Sequence, residues 1–378
     1  MDFETLCIHG SSKKYDVTGA VSVPIFQSAT FAHPGLGVST GFDYSRLQNP
    51  TREHLEITLA ALENGIDAMA FSSGMAAISA LMELFSPGDH IIASDDLYGG
   101  SHRLFHHISL KNGLLFDLVN TSDVSLIEEK ITANTKALFI ETPTNPMMQV
   151  TDIAAAAALA KRHGLLVIVD NTFLTPYNQH PLELGADVVV HSGTKYLGGH
   201  NDTLAGFLVV NDAVLSERLR FIYKTTGACL SPFDSWLLIR GLKTLAVRLT
   251  RQQDSAMKIA QFLSGQSSVK AVHYCGLPSH PGYAVSIQQT SGFGAMISFE
   301  VENAAVAERI LGRVRVIQYA ESLGGVESLI TYPMLQTHAD VPAEVREAKG
   351  INDKLLRLSV GLESADDLIA DLRQALEG

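Results

Sequence analysis

The sequence contains few cysteines and no group of residues with the spacing of a metal site. Its 378 residues include three cysteines, at positions 7, 229 and 275, which are widely separated and form no Cys-x-x-Cys pair. Neither a disulfide framework nor a zinc site is therefore expected, and a reducing cytoplasm suits such a chain. Metal-ligand spacing is also absent among the histidines His106, His107, His191 and His200.

Basic charge and long apolar runs are also scarce. With 28 Lys and Arg against 40 Asp and Glu, the formal net charge is -12, so the chain offers no basic face to nucleic acid. The alanine-rich stretch 153–160 is bounded by Asp152 and Lys161 and is too short to span a membrane. The first residues lack the basic region and apolar core of a signal peptide. We expect a soluble, cytoplasmic protein whose partners are neither nucleic acid nor membrane.

The chain is long enough for two domains and an additional arm. Residues 1–57 contain turn formers too often for a packed unit, namely Gly10-Ser-Ser, Thr18-Gly, His33-Pro-Gly and Asn49-Pro. These residues are predicted to form an extended arm with short helical pieces. An arm that cannot bury itself often packs on another subunit.

Residues 58–245 alternate between strand and helix patterns. The predicted strands are 68–71, 90–93, 114–119, 137–140, 165–169, 188–191 and 206–210, and helices such as 75–85 and 152–163 lie between them. This alternation predicts an α/β domain with a mostly parallel sheet covered on both faces. After a long helix predicted at 235–263, strands at 269–273, 294–301 and 355–360 and helices at 304–311 and 366–376 predict a smaller α+β domain over residues 246–378.

Lys195 follows a short apolar run at 186–190, at the point where a buried strand opens into a polar loop. A partly desolvated amine can lose its proton there and form a Schiff base with an aldehyde cofactor. Ser192 and Thr194 flank it with hydroxyls suited to a phosphate. A solvated lysine at a strand end is the alternative that this stretch leaves open.

Two further stretches point to the same edge of the sheet. Asp170 ends the apolar strand 165–169, so Asp170 and Lys195 should converge at the carboxyl edge. A carboxylate there can keep a pyridine nitrogen protonated. Ser73 and Gly74 stand between a strand and a helix, where backbone amides bind phosphate. An ordinary serine N-cap would give the same pattern.

With these three stretches, the sequence resembles the Cys/Met-metabolism family of pyridoxal-phosphate enzymes, which covers cystathionine γ-synthase, cystathionine γ- and β-lyases, methionine γ-lyase and O-acetylhomoserine sulfhydrylase. The resemblance runs from about Thr5 to the C-terminus. Its most specific motifs are residues 44–52, 72–75, 96–100, 141–146, 170–173, 192–196, 321–325 and 356–361. The resemblance implies the aspartate-aminotransferase-like fold type I, pyridoxal 5'-phosphate as cofactor, and a homo-oligomer that is a tetramer of two dimers.

The resemblance also implies roles for individual residues. Lys195 and Tyr98 would be catalytic, with the Tyr98 ring stacked on the cofactor. The implied cofactor-binding set is Ser73, Gly74, Met75, Tyr98, Asp170, Ser192, Thr194 and Lys195, together with Tyr44 and Arg46 from the arm of a neighbouring subunit. Without the resemblance, Tyr44 and Arg46 would be interpreted as surface turn residues.

Arg357 interrupts an apolar strand, where a buried guanidinium needs a partner. A structural carboxylate of the protein could be that partner. The resemblance instead assigns Arg357 to the substrate α-carboxylate, with help from Asn145 and Ser322. Arg103 is a weaker candidate for a distal carboxylate.

The expected reaction is γ-replacement on an O-activated homoserine by cysteine or sulfide, as in cystathionine γ-synthase, with small amino acids as substrates. By resemblance, an acidic residue at position 321, here Glu321, accompanies enzymes that act at the γ carbon, and Gly100 stands where methionine γ-lyases carry cysteine. Cystathionine γ- and β-lyase activities remain alternatives.

Two other classes of protein share part of this pattern. Residues 192–195 match the Ser-x-x-Lys of penicillin-binding proteins, but the chain has no Lys-Thr-Gly. A non-enzymatic module on this fold would be expected to lack Lys195, Asp170 or Arg357.

Overall fold

A seven-stranded sheet forms the larger part of the computed structural model, which describes residues 1–10 and 18–377. Its strands are β1 (Asp67–Phe71), β2 (His90–Ser94), β3 (Leu115–Val119), β4 (Thr135–Glu141), β5 (Leu166–Asp170), β6 (Val188–Ser192) and β7 (Gly206–Val210). They lie in the order β1-β7-β6-β5-β4-β2-β3, and β7 runs antiparallel to its neighbours while the remaining pairs are parallel. Each predicted strand overlaps one of these, so the mostly parallel sheet is confirmed.

Helices cover both faces of this sheet because its strands are apolar on both sides. Val188 and Val190 of β6 pack in one core cluster with residues of α3 and α8, whereas Val189 packs in the cluster on the opposite face. The helices up to this region are α1 (Phe3–His9), α2 (Pro50–Leu62), α3 (Gly74–Met82), α4 (Gly99–Arg103), α5 (Val124–Glu129), α6 (Ile153–Arg162), α7 (Thr175–Asn178), α8 (Ala213–Thr226) and α9 (Pro232–Leu242), with a π-helical segment at Leu104–Ser109. In the described part of the chain, no helix is both long and apolar enough to cross a membrane.

A second sheet follows helix α10 (Leu245–Ser264). Its strands are β8 (Val269–His273), β9 (Met296–Val301), β10 (Gln318–Tyr319), β11 (Leu329–Thr331) and β12 (Leu355–Ser359), in the order β10-β11-β12-β9-β8. The accompanying helices are α11 (Tyr283–Gln289), α12 (Ala304–Arg313), α13 (Ala343–Ala348) and α14 (Ala365–Glu377). This mixed sheet with its helices is the α+β pattern expected for the C-terminal part.

The prediction of one long helix at 235–263 is wrong. Helix α9 ends at Leu242 and α10 begins at Leu245, because the Gly241 carbonyl accepts from the Thr244 amide (3.1 Å) and from Arg248 Nη2 (2.9 Å) instead of continuing the helical ladder. Arg248 Nη1 also donates to the carbonyl of Tyr196 (2.8 Å). The helix break therefore anchors the residue that follows Lys195.

The N-terminal residues are extended beyond α1, as far as they are described. Val21 is 98% exposed and Leu36 is fully exposed, although both are apolar. Helix α2 crosses residue 57, where the arm was predicted to end, and the predicted turn after Gly10 lies partly outside the described residues. The division into an arm and two domains stays a prediction.

Two helix glycines allow a matched test of how closely α9 packs on the turn that follows Lys195. A Cβ at Gly241 would lie 2.3 Å from the carbonyl oxygen of Gly198, whereas a Cβ at Gly312 in α12 would have nothing within 4 Å. We expect Gly241→Ala to lower the free energy of unfolding by about 1–3 kcal/mol through overpacking. Gly312→Ala should raise it by about 0.5–1 kcal/mol. Urea unfolding of the two variants measures both changes, and equal effects would contradict the close contact at Gly241.

Candidate active site

The polar side chains of the site lie at the carboxyl edge of the larger sheet. Asp170 ends β5, Ser192 ends β6 and Glu141 ends β4, while Gly74 begins the helix that follows β1. The parallel strands bring these ends together, as expected for a ligand crevice in an open α/β sheet. The smaller sheet closes the crevice from the other side through Arg357 of β12.

A cavity of about 350 Å³ occupies this crevice. Most of the residues predicted for the site line it, namely Ser73, Gly74, Met75, Tyr98, Asn145, Asp170, Ser192, Thr194, Lys195, Glu321, Ser322 and Arg357. Through Thr194, Leu204, Glu321 and Ser322 it borders a more open cavity of about 830 Å³. The site therefore has room for a bound group and for a substrate beside it.

A hydrogen bond from its side chain to Ser322 holds Lys195 in the cavity. Its Nζ donates to Ser322 Oγ (2.8 Å), and Ser322 has a backbone φ of 82°, which is uncommon for a residue with a side chain and costs free energy. Burial, together with the nearby Arg357 charge, lowers the pKa of Lys195 to about 8, while Glu321 opposes this shift. An appreciable fraction of the amine is therefore neutral near physiological pH and can act as a nucleophile or base.

The turn between β1 and α3 forms an anion cradle. Ser73 caps the helix by accepting from the amide of Ala76 (3.1 Å), and the first-turn amides of Gly74 and Met75 have no partner within the helix. A Cβ at Gly206 would lie 2.1 Å from the carbonyl oxygen of Ser73, so glycine is needed for β7 to approach this turn. Such a helix start binds phosphate.

Two carboxylates lie side by side on neighbouring strands, the buried Glu141 and the partly buried Asp170. Asp170 of β5 is aligned with Glu141 of β4, and Asp170 Oδ1 accepts from the amide (3.0 Å) and hydroxyl (2.5 Å) of Thr172. Glu141 Oε2 accepts from the amide of Tyr98 (2.9 Å). Burial raises the pKa of both carboxyls, and the proximity of Asp170 raises that of Glu141 further. A cationic ring nitrogen next to Asp170 would stabilise the ionised carboxylate and lower its pKa again.

Arg357 is fully buried and is held by three segments. Its Nη1 donates to Asn145 Oδ1 (2.8 Å), and its Nη2 donates to the Ser322 carbonyl (3.0 Å) and to Thr331 Oγ1 (3.1 Å). Its Nε has no hydrogen-bond partner in the described part of the chain. Burial lowers the pKa of Arg357 to about 10. A buried guanidinium with an unused donor is suited to bind the carboxylate of a ligand.

Tyr98 lies over the cavity at the start of α4 and is 41% exposed. A Cβ at Gly100 would lie 2.5 Å from the Tyr98 ring and 3.0 Å from Met75 Sδ. Any side chain at position 100 would therefore displace Tyr98 or Met75.

Three predicted site residues do not line the cavity. Arg103 forms an exposed ion pair with Asp340. Arg46 donates to the carbonyl of Lys224, and its guanidinium lies 5.6 Å from the centre of the Tyr44 ring. Their predicted roles, at a distal carboxylate and at a neighbour's cofactor, stay predictions.

Sequence reasoning missed several residues of the cavity wall, among them Glu141 and Thr337. Glu141 ends a strand, as Asp170 does, so the rule that selected Asp170 could have selected Glu141 as well. Thr337 lies in a segment without a motif and reaches the cavity because its carbonyl packs against Gly99. No local signal would have identified it.

Comparison with known proteins gives a consistent result. The family model for the Cys/Met metabolism PLP-dependent enzymes matches residues 4–377. The chain is 50% identical over 373 residues to a cystathionine γ-synthase/O-acetylhomoserine (thiol)-lyase of Bacillus subtilis, covering 99% of this chain and 96% of the relative. It is 48% identical over 374 residues to a cystathionine β-lyase of Lactococcus lactis, covering 99% and 98%.

A solved structure agrees with the sequence comparisons. The cystathionine γ-lyase of Lactobacillus plantarum, crystallised with L-serine, superposes with a TM-score of 0.97 at 45% identity, covering 100% of this chain and 99% of the other. Proteins similar to this chain thus include enzymes with three different named activities.

The charge of Glu321 should control the pKa of Lys195. Since Glu321 raises that pKa, Glu321→Gln should lower it further below its present value of about 8. The measurement is the pH dependence of Lys195 acylation in cofactor-free protein, followed by peptide mass spectrometry. Glu327→Gln is the matched control, because Glu327 is exposed, lies six residues away and does not line either cavity. An unchanged or raised midpoint in Glu321→Gln would contradict the electrostatic coupling.

Proposed function

The chain belongs to the Cys/Met metabolism PLP-dependent enzyme family, and we propose that it catalyses γ-replacement. In this reaction an O-activated homoserine loses its γ acyloxy group as a carboxylic acid and gains the sulfur of cysteine or sulfide at the same carbon. The observation that carries the proposal is the cavity wall itself. Glu321 and Ser322 lie side by side there, next to Lys195, and Gly100 leaves Tyr98 in place.

The cavity fits pyridoxal phosphate at three points. The amides at Gly74 and Met75, with the hydroxyl of Ser192, would bind the phosphate; Asp170 would face the ring nitrogen; and Lys195 would bind the aldehyde carbon. The bound cofactor supplies an electron sink that stabilises negative charge on the carbons of an amino-acid substrate.

Lys195 would move the protons. Its lowered pKa allows the neutral amine to accept one proton at a time. It would take the Cα proton, release it before it takes the Cβ proton, and return a proton to each carbon after the C–S bond has formed. The contact of its Nζ with Ser322 Oγ would hold the free amine in place for these transfers. The Tyr98 ring covers the cavity from the other wall and would limit the access of water.

Arg357 would bind the substrate α-carboxylate. The guanidinium offers its unused Nε, and Asn145 and the Ser322 carbonyl already fix the plane of the group. This binding would set the orientation of Cα relative to Lys195.

Glu321 favours chemistry at the γ carbon, and Gly100 argues against a methionine γ-lyase. The Glu321 carboxylate interacts with both Lys195 and Arg357 and lines both cavities. It can attract the ammonium group of a second amino acid such as cysteine. A cysteine at position 100, as in the methionine γ-lyase subgroup, would require Tyr98 or Met75 to move.

A cystathionine lyase is the second candidate. It is supported by the similarity to the Lactococcus lactis β-lyase and to the Lactobacillus plantarum γ-lyase structure. The two adjacent cavities together would accommodate cystathionine as readily as two separate substrates.

Product analysis tests the proposal. The holoenzyme is incubated with O-acetylhomoserine, O-succinylhomoserine or cystathionine, each with and without cysteine or sulfide. We expect cystathionine or homocysteine from at least one ester, at a rate well above that of keto-acid release from cystathionine. Pyruvate from cystathionine with no new C–S bond from either ester would refute γ-replacement and indicate a β-lyase. 2-Oxobutyrate from cystathionine as the main product would indicate a γ-lyase.

We further propose a homo-oligomer, a tetramer of two dimers, in which Tyr44 and Arg46 complete the site of a neighbouring subunit. The exposed apolar residues of the arm support this, since a monomer would leave Val21 and Leu36 in water.

Subunit mixing tests the shared site. Lys195→Ala and Arg46→Ala proteins, each nearly inactive, are dissociated, mixed and reassembled. Hybrids should regain activity, because one site in each hybrid dimer would combine an intact Lys195 with an intact Arg46. Failure to regain activity in hybrids verified by mass spectrometry would show that the sites are not shared.

A further inference from the structure

Asp96 is a buried carboxylate behind the cavity wall. It follows β2, is 2% exposed and lines neither cavity. Its Oδ2 accepts from the Thr144 hydroxyl and from the Met147 amide (3.0 Å). These two donors lie on either side of Asn145, so Asp96 holds both ends of the turn that carries Asn145.

The turn itself is closed by local hydrogen bonds. The Thr144 amide donates to the Gln149 carbonyl (2.9 Å), and the Gln149 amide donates to Thr144 Oγ1 (2.9 Å). Asn145 Oδ1 accepts a hydrogen bond from Arg357 Nη1, and the neighbouring Pro146 carbonyl accepts one from the Ser298 hydroxyl of β9 (2.6 Å). A continuous series of contacts therefore leads from Asp96 to the guanidinium.

We infer that Asp96 is a positioning residue for the binding of the substrate α-carboxylate, acting through Asn145 on Arg357. The inference rests on the proposed role of Arg357.

The free-energy cost of burying the Asp96 carboxylate indicates that this residue does more than fill space. Oδ1 of Asp96 has no hydrogen-bond partner in the described part of the chain, and burial raises the pKa of Asp96 to about 6 although the bonds from Thr144 and Met147 lower it. A neutral side chain would fill the same volume at lower free-energy cost. The charged carboxylate is a stronger and more directional acceptor, which suits it to fix the turn.

Ligand binding tests the inference without turnover. The holoenzyme is titrated with glycine and with glycinamide, which lacks the carboxylate, and the dissociation constants are read from the change in cofactor absorbance. Asp96→Asn should weaken glycine binding about tenfold, on the scale of one charge-assisted hydrogen bond, and change glycinamide binding less than about twofold. Asp95→Asn is the matched control with the same charge change one residue away, and it should leave both constants unchanged.

A double-mutant cycle identifies the route. If Asp96 acts through Asn145, Asp96→Asn should have little further effect on glycine binding in an Asn145→Ala background. Thr144→Val removes the same hydrogen bond from the other partner and replaces Asp96→Asn if that variant does not fold, with Thr144→Ser as the conservative variant that should retain binding. Equal weakening of glycine and glycinamide, no weakening of either, or additive effects with Asn145→Ala would overturn the inference.

Arg357→Lys separates this inference from the function on which it rests. If Arg357→Lys fails to weaken glycine relative to glycinamide, Arg357 does not bind the carboxylate and the proposed function loses that support. If Arg357→Lys shows the selective loss and Asp96→Asn does not, the role of Asp96 alone is overturned.

Discussion

The buried guanidinium of Arg357 imposes a constraint that joins the two sheets of the molecule. A charge in this position is stable only if its hydrogen-bond donors have partners. These partners are Asn145, far away in the sequence, and Ser322 and Thr331, which precede β12. Asn145 belongs to the larger sheet region, whereas Thr331 is aligned with Arg357 on a neighbouring strand of the smaller sheet. The hydrogen bonds of this one side chain thus fix the relative position of the elements that line the cavity. Ser322 connects these hydrogen bonds to Lys195, because its hydroxyl accepts from Lys195 Nζ.

The carboxyl edge of the larger sheet concentrates buried charge of both signs. Asp170 makes ionisation of Glu141 more costly, and Arg357 does the same for the Lys195 ammonium. Backbone donors offset part of this cost, as the Tyr98 amide does for Glu141. A site with four such groups in a small volume is poised to bind a ligand that carries both charges, because an anionic and a cationic partner are each only partly satisfied without it. An amino acid with a phosphorylated pyridine cofactor meets this description.

The sequence predicted those features that depend on local pattern. Continuous apolar runs identified the strands of the larger sheet, and the carboxyl-edge rule was enough to place Asp170 and Lys195 in the same cavity. The break between α9 and α10 could not be predicted in the same way, since it depends on the Arg248 guanidinium reaching the carbonyls of Gly241 and Tyr196. The two-residue strand β10 and the approach of Thr337 are likewise set by tertiary contacts. The positions of Tyr44 and Arg46 relative to a neighbouring site depend on a second chain.

Reaction specificity in such a cavity is a matter of small differences. Relatives that are about half identical to this chain include one named as a synthase and one named as a lyase. The fold and the cofactor site therefore do not decide between replacement and elimination. Discrimination of about 1–3 kcal/mol can come from a single group in a pocket. Gly100 lets the Tyr98 ring and Met75 approach each other, and Glu321, which lines both cavities, raises the pKa of Lys195. In the proposed mechanism, elimination and replacement both begin with proton removal by Lys195. The outcome would then depend on whether a second nucleophile is bound beside Glu321 when the γ substituent leaves.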